Sequence, residues 1–182
     1  TFAGNNHIDM KRIFLIGYMG AGKTTVGKVL SRQLELSFID LDHYIEGRYH
    51  KTVGQLFAEK GEDAFRDIER RMLREVAAFE DVLVSTGGGA PCFFDNMEFM
   101  NGAGQTVYLK VSVEELAKRL ELCKSTRPIL EGRSGDELRA FIAESLKKRE
   151  PFYSKASIVF DAEEMMTDQD VYKISQELAT RL

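Results

Sequence analysis

Short apolar runs alternate along the chain with longer segments in which apolar residues recur every three or four positions. The short runs are typical of buried strands, and we predict five of them, at residues 13–16, 37–42, 82–86, 105–110 and 157–160. The segments between them have the periodicity of amphipathic helices. Strands that alternate with helices predict an α/β protein in which helices cover both faces of a parallel sheet, giving three layers, α/β/α.

Capping and helix-breaking residues give the helix boundaries. Thr52 with Gln55, and Ser112 with Glu115, match the capping box of a helix N-terminus. Pro151 is expected to end a helix, because proline removes a backbone donor and clashes with the preceding turn. The predicted helices cover residues 24–34, 43–49, 53–59, 62–79, 91–100, 112–122, 136–150 and 168–182.

A glycine-rich stretch follows the first predicted strand, and its sequence is Gly17-Tyr18-Met19-Gly20-Ala21-Gly22-Lys23-Thr24. It matches the phosphate-loop pattern G-x-x-x-x-G-K-[ST] at every fixed position. Backbone N–H groups of such a loop, with the positive end of the next helix, surround phosphate oxygens. We therefore predict nucleotide binding by Gly20, Ala21, Gly22, Lys23, Thr24 and Thr25. Lys23 is expected to reach the β- and γ-phosphates and the Thr24 hydroxyl to ligate Mg²⁺. The alternative is a glycine turn with a surface lysine.

Composition limits the kinds of partner. The 182 residues are 43% hydrophobic and 30% charged, which is ordinary for one globular domain, here residues 10–182. Residues 1–9 are polar and are interpreted as an irregular remnant of expression. The net charge of −4 argues against a nucleic-acid surface, and no apolar run approaches the roughly 18 residues of a membrane span. Two cysteines, Cys92 and Cys123, are too few for a disulfide framework and predict a cytoplasmic protein.

Two carboxylates follow the second apolar run. Asp40 and Asp42 are two positions apart, and alternate residues of a strand project to the same face. We predict that Asp40 holds Mg²⁺, while Asp42 meets the hydroxyl of the acceptor. Asp161 also follows an apolar run, but we assign it to a surface turn. A solvated turn is the alternative for the Asp40–Asp42 pair.

Glycines and arginines supply a second candidate constellation. Gly87, Gly88 and Gly89 leave a buried strand, and three consecutive glycines favour a close backbone approach to a ligand over a flexible connector. Arg66 and Arg149 lie on predicted helices, where a solvated ion pair and a helix-end contact are the alternatives. Arg127 lies in the polar, basic segment 123–135, which has the composition of a mobile lid.

The ordered set of motifs resembles the bacterial shikimate kinases over nearly all of residues 10–182. The motifs that carry the resemblance are the phosphate loop at 17–24, Phe-Ile-Asp-Leu-Asp at 38–42, Phe-Arg-Asp-Ile-Glu at 65–69, Gly-Gly-Gly-Ala at 87–90, Thr-Arg-Pro-Ile-Leu at 126–130 and Lys-Arg-Glu-Pro-Phe-Tyr at 148–153. The resemblance implies a nucleoside-monophosphate-kinase-like fold with strand order 2-3-1-4-5. It also implies transfer of the ATP γ-phosphoryl group to the 3-hydroxyl of shikimate, in the aromatic amino-acid (chorismate) pathway.

The resemblance also implies residue roles, within a substrate-binding region at about residues 42–79 and the lid. Asp42 is implied to orient the accepting hydroxyl and Asp40 to hold metal-bound water. Lys23, Thr24 and the lid residue Arg127 are implied at the phosphates. The residues implied at the substrate are Arg66 and Arg149 on its carboxylate, Gly88 and Gly89 as backbone donors, and Glu69 in support. Arg119 is implied to cover one face of the adenine, as in some relatives. Those relatives also close the adenine site with a proline, and residues 161–168 depart from them in having none.

Two other functions remain as alternatives at this point. One is another kinase of the same fold: a gluconate kinase would not need the set of Asp42, Arg66, Arg149 and three glycines, and a nucleoside monophosphate kinase would need a phosphate-binding group of arginines and a base pocket. The other is a non-catalytic nucleotide-dependent module, which would be expected to lose Asp42 or an arginine. We expect a monomer whose partners are ATP and shikimate, with no nucleic acid and no membrane.

Overall fold

The computed structural model describes residues 10–123 and 132–182, and a five-stranded parallel sheet forms its centre. Its strands are β1 (Arg12–Ile16), β2 (Ser37–Asp40), β3 (Val82–Ser85), β4 (Gln105–Lys110) and β5 (Ile158–Asp161). Their order is β2-β3-β1-β4-β5, which confirms the predicted fold class and strand order. The central strand β1 pairs Phe14 with Val84 of β3 and with Thr106 of β4. All four residues of β3 are buried, so the C-terminal end of this strand is held in place by its surroundings.

Eight α-helices and one short 3₁₀-helix are described around this sheet. The α-helices are α1 (Lys23–Gln33), α2 (Leu41–Tyr49), α3 (Val53–Lys60), α4 (Glu62–Ala77), α5 (Asn96–Ala103), α6 (Val113–Leu122), α7 (Gly135–Tyr153) and α8 (Asp168–Ala179), and the 3₁₀-helix is Ala90–Cys92. Helix α1 packs against α8, α6 against α7, and both α2 and α3 against α4. Thr52 and Gln55 form the predicted capping box of α3.

Strand β2 is shorter than the sequence predicts, and the prediction that Asp42 lies on it is wrong. The strand ends at Asp40, whose side chain accepts a hydrogen bond from the His43 backbone N–H and so caps α2. Asp42 therefore lies in the first turn of α2. Aspartate is among the preferred N-cap residues, and here this local preference outweighs the apolar run that favours a longer strand.

Helix α7 extends past the residue at which it was expected to end. Pro151 lies within its last turn, and the Ser154 N–H still donates to the Glu150 carbonyl at 2.9 Å. A proline near the C-terminal end removes only one donor, so the last turn can continue beyond it. The predicted helix over residues 91–100 is instead divided, because Phe93 is extended and Phe94 has a positive φ of 50°.

The predicted capping box of α6 is only half formed. The Ser112 hydroxyl accepts from the Glu115 N–H at 3.2 Å, as expected. The Ser112 N–H, however, donates to Glu163 at 2.7 Å, because the Glu115 carboxylate is engaged by Arg119 at 2.9 Å. A contact distant in the sequence therefore replaces the local one.

Candidate active site

The phosphate loop joins β1 to α1 through glycines that no other residue could replace without strain. Gly17, Gly20 and Gly22 have φ values of 146°, 82° and 96°, which favour glycine. A Cβ on Gly17 would also stand 2.9 Å from the Leu109 carbonyl oxygen of β4. Gly22 is the N-cap of α1, so the first N–H groups of that helix face the loop without a side-chain cap. Such N–H groups suit a phosphate.

Lys23 lies along this loop as the first residue of α1. The residue is 9% exposed, and its ammonium donates to the carbonyls of Gly17 and Tyr18 at 2.7 and 2.9 Å. The positive charge is thus held at the loop, where a phosphate would bind.

Thr24 and Asp40 meet between α1 and the end of β2. The Thr24 hydroxyl donates to one Asp40 carboxylate oxygen at 2.9 Å, and the other oxygen caps α2 at 3.2 Å. A hydroxyl and a carboxylate are oxygen ligands of the kind that Mg²⁺ prefers. The pair therefore fits the predicted metal position. The described residues hold no group of three His, Cys, Asp or Glu side chains that could bind a metal by themselves.

Two carboxylates converge on Gly87, just after β3. A Cβ on Gly87 would stand 3.0 Å from an Asp42 oxygen and 3.3 Å from a Glu69 oxygen. Burial raises the pKa of Asp42, and the neighbouring Asp40 raises it further. Burial also raises the pKa of Glu69 from 4.5 to about 7, against the opposing effect of Arg66. Both groups consequently bind protons more tightly than ordinary surface carboxylates.

Arg66 of α4 is surrounded by carboxylates and aromatic rings. Its guanidinium donates to Glu69 at 2.8 Å, and it lies 4.1 Å from the ring centroid of Phe93 and 5.5 Å from that of Phe57. Arg66 is 9% exposed, and its buried Nε has no hydrogen-bond partner among the described residues. A Cβ on Gly89 would stand 2.5 Å from Arg66 Nη2, so only glycine leaves room for this guanidinium.

Gly88 lies where Arg149 of α7 meets the phosphate loop. A Cβ on Gly88 would stand 3.2 Å from Arg149 Nη1 and 3.5 Å from both the Gly17 oxygen and the Met19 nitrogen. The Arg149 guanidinium also lies over the Tyr18 ring, 5.2 Å from its centroid. The three glycines thus border three different groups: Gly87 the carboxylates, Gly88 Arg149 and Gly89 Arg66.

Of the two remaining sequence-predicted arginines, only Arg119 is among the residues that the structure describes, and it lies apart from this cluster. Arg127 lies outside the described residues. Arg119 donates to the carbonyls of Ala162 and Glu163 at 2.9 and 2.8 Å and to that of Gly20 at 3.4 Å. It therefore ties the segment after β5 to the phosphate loop, on which Met165 also packs at Gly22.

Asp161 and the histidines lie elsewhere. Asp161 is exposed at the end of β5 and accepts from the Glu163 N–H at 2.9 Å, as a turn residue would. His43 and His50 are exposed. Across residues 10–123 and 132–182, no helix is long and apolar enough to cross a membrane.

Reasoning from individual residues does not establish several contacts of the cluster. The aromatic contacts of Phe57 and Phe93 with Arg66, and the contact of Tyr153 with Gly88, join residues far apart in sequence. For Tyr153 the local signal that could have pointed to it is spacing, because it lies one turn after Arg149 on α7.

A phosphate loop at the carboxyl end of β1, facing a carboxylate and two arginines, defines a P-loop kinase that acts on a small anionic molecule. Comparison with known proteins gives the family. The sequence model of the shikimate kinase family matches residues 19–179, and the chain belongs to this family. These kinases take the γ-phosphoryl group from ATP and transfer it to shikimate, in aromatic amino-acid biosynthesis.

The similarity to individual relatives extends over nearly the whole chain. The shikimate kinase of Parabacteroides distasonis is 78% identical over 169 residues, which are 93% of this chain and 98% of that protein. The crystal structure of the Bacteroides thetaiotaomicron shikimate kinase superposes with a TM-score of 0.92 at 56% identity, covering 94% of this chain and 98% of that one. The Acinetobacter baumannii shikimate kinase, solved in complex with shikimate, has a TM-score of 0.82 at 32% identity, over 95% and 93% of the two chains.

Proposed function

We propose that this chain transfers the ATP γ-phosphoryl group to the 3-hydroxyl of shikimate, giving shikimate 3-phosphate and ADP, at the site described above. One observation carries the assignment of the residues. Asp42, Arg149 and Arg66 reach from three different helices to three consecutive glycines, and the middle glycine borders the phosphate loop. This arrangement supports an acceptor site directly beside the phosphate to be transferred.

On the donor side, Gly20–Thr25 are assigned to the phosphates, with backbone N–H groups of the loop as donors. Lys23 supplies a buried positive charge that neutralises the β- and γ-phosphates. Thr24 and Asp40 would hold Mg²⁺, which when bound supplies further charge neutralisation of the phosphates. The lid residue Arg127 is assigned to the transferring phosphate from the sequence alone.

On the acceptor side, Asp42 is assigned to the reacting hydroxyl. Its raised pKa makes it a better proton acceptor than an ordinary aspartate while it is ionised, and Lys23 nearby favours that ionised form. The carboxylate would accept the hydroxyl's hydrogen bond and direct the oxygen at the phosphorus. As the new O–P bond forms, the hydroxyl proton would pass to Asp42.

Arg66 and Arg149 are assigned to the carboxylate of shikimate. A guanidinium pairs with a carboxylate through two parallel hydrogen bonds, which fixes orientation as well as charge. Glu69 holds Arg66 from the protein side at 2.8 Å. Gly88 and Gly89 are assigned as backbone donors to the substrate. The monomeric state and the cytoplasmic location expected from the sequence stay predictions.

The test is a coupled assay of ADP release with shikimate, gluconate or AMP as acceptor, on the wild-type chain and on Asp42→Asn. Of the three acceptors, we expect only shikimate to support turnover. Asp42→Asn should reduce kcat by about 100-fold or more, because general-base catalysis contributes a factor of about 10² to 10⁴. The Kd for ATP, measured by calorimetry, should change less than about twofold, because Asp42 faces the acceptor. Absence of turnover with shikimate would refute the function, and loss of ATP affinity in Asp42→Asn would refute the role of Asp42.

A further inference from the structure

The last turn of α7 carries a buried tyrosine to which the proposed function gives no role. Tyr153 is 0% exposed, and its hydroxyl donates a hydrogen bond to the carbonyl oxygen of Gly88. Its ring packs against Tyr108, with the centroids 5.0 Å apart. A buried tyrosine hydroxyl needs a partner, and here it has two: it donates to the backbone of the glycine segment, and it is also hydrogen-bonded to the side chain of Arg149.

Gly88 is the residue at which the acceptor side of the site meets the phosphate loop. On one side of it lies Arg149 Nη1, and on the other lie the Gly17 oxygen and Met19 nitrogen of the phosphate loop. A rotation of the peptide that carries the Gly88 carbonyl would move this residue relative to both neighbours. The hydrogen bond from Tyr153 fixes that carbonyl.

Tyr153 is also linked to Arg149 directly. The two residues are one turn apart on α7 and therefore project from the same face of the helix. Burial raises the pKa of Tyr153, and the adjacent Arg149 cation opposes this only in part. The hydroxyl thus keeps its proton, and remains a donor to Gly88, throughout the working pH range.

We propose that Tyr153 is a positioning residue that fixes Gly88 against the phosphate loop and so holds Arg149 at a fixed position relative to the phosphoryl donor. The inference rests on the proposed role of Arg149 at the shikimate carboxylate. Tyr153 itself need not touch substrate. Its contribution is made through the Gly88 carbonyl and the guanidinium one turn earlier on the same helix.

The test is Tyr153→Phe, which removes one oxygen and keeps the ring. We expect the KM for shikimate to rise about tenfold and kcat to fall severalfold, as for a misplaced binding group, with the KM for ATP changed by a smaller factor than the KM for shikimate. Unchanged shikimate KM and kcat in this variant would overturn the proposal.

Tyr108→Phe is the matched control. Tyr108 is 1% exposed, and its hydroxyl also ties β4 to α7, by donating to Glu150 at 2.6 Å rather than to the glycine segment. The same atom is therefore lost from the same pair of packed rings, but the glycine segment keeps its hydrogen bond. We expect Tyr108→Phe to lower the midpoint of thermal unfolding with shikimate KM unchanged. An equal rise in KM for both variants would reduce the role of Tyr153 to general stabilisation of α7 and overturn the proposal.

Arg149→Lys separates this inference from the proposed function. If Arg149 grips shikimate, Arg149→Lys alone raises the shikimate KM; no change in KM would refute that role and the inference with it. If Tyr153 acts through Arg149, Tyr153→Phe should cost less in the Arg149→Lys background than in the wild type. Independent, multiplicative effects of the two substitutions would overturn the inference and leave the role of Arg149 standing.

Discussion

Replacement of Gly89 by alanine isolates the contribution of Arg66 to acceptor binding. Gly89 has φ −86° and ψ −20°, a conformation that alanine adopts without strain. The added methyl carbon, however, would stand 2.5 Å from Arg66 Nη2 and 2.8 Å from Cζ. Ordinary contacts begin at 3.4 Å, so the guanidinium has to retreat by about 0.9 Å.

The retreat is opposed by the surroundings of Arg66. A flexible arginine at the surface would move at little cost, but this one is 9% exposed, paired with Glu69 at 2.8 Å and covered by Phe93. A shift of this size breaks the geometry of a bidentate grip. Loss of a hydrogen bond to a charged group costs about 1.5–3 kcal/mol, so we expect the KM for shikimate to rise by about 10- to 150-fold.

The assay is steady-state ADP release at varied shikimate and at varied ATP, with thermal unfolding as the test of folding. Gly102→Ala is the control, because Gly102 lies in α5 with nothing within 4 Å of an added Cβ. The KM for ATP should stay within about twofold in both variants, since neither residue borders the phosphate loop. A folded Gly89→Ala enzyme with wild-type KM for shikimate would refute the argument that Arg66 is held in place by its neighbours.

Two further predictions concern protons and metal. The pKa of Glu69 is raised to about 7, so the stability it contributes is present below its ordinary value of 4.5 and is lost as pH rises through 7. The free energy of unfolding of Glu69→Gln, measured in urea, should therefore increase relative to that of the wild type from pH 5 to pH 8, by up to about 3 kcal/mol. The same difference between the two proteins at both pH values would contradict this. Asp40→Asn keeps a residue able to cap α2 but weakens a metal ligand. It should raise the Mg²⁺ concentration for half-maximal activity about tenfold, with an unchanged Kd for shikimate, as loss of one coordinating charge predicts; an unchanged Mg²⁺ dependence would exclude Asp40 from the metal site.

Local patterns in the sequence predict much of the fold. Strand β4 has the predicted bounds, and the capping box at Thr52 sets the start of α3 as expected. The errors arise where two local signals compete or where a distant residue intervenes. Asp40 ends an apolar run and is also a good N-cap, and the structure uses the second property. Ser112 takes Glu163 as a partner, which no local pattern could indicate.

The residues of the candidate site also fall into those that local patterns predict and those that they do not. The phosphate loop is a contiguous motif, so its residues can be assigned from their spacing alone. Asp42, Arg66 and Arg149 are brought together only by the fold, and without the family resemblance each has an ordinary surface explanation. The structure adds why each is held: α2 presents Asp42, Glu69 holds Arg66, and Gly88 borders Arg149.

The three glycines after β3 also restrict how the enzyme could be changed to accept other substrates. A glycine has no side chain to shorten, so substitution in this segment can only make the pocket smaller. The backbone beneath it continues into a strand that is buried along its whole length and cannot withdraw. Room for a bulkier acceptor would have to come from side chains near the segment, and Phe57 and Phe93, which pack around Arg66, carry atoms that can be removed. Libraries aimed at larger cyclic acids should therefore vary the two phenylalanines and leave the glycines as they are.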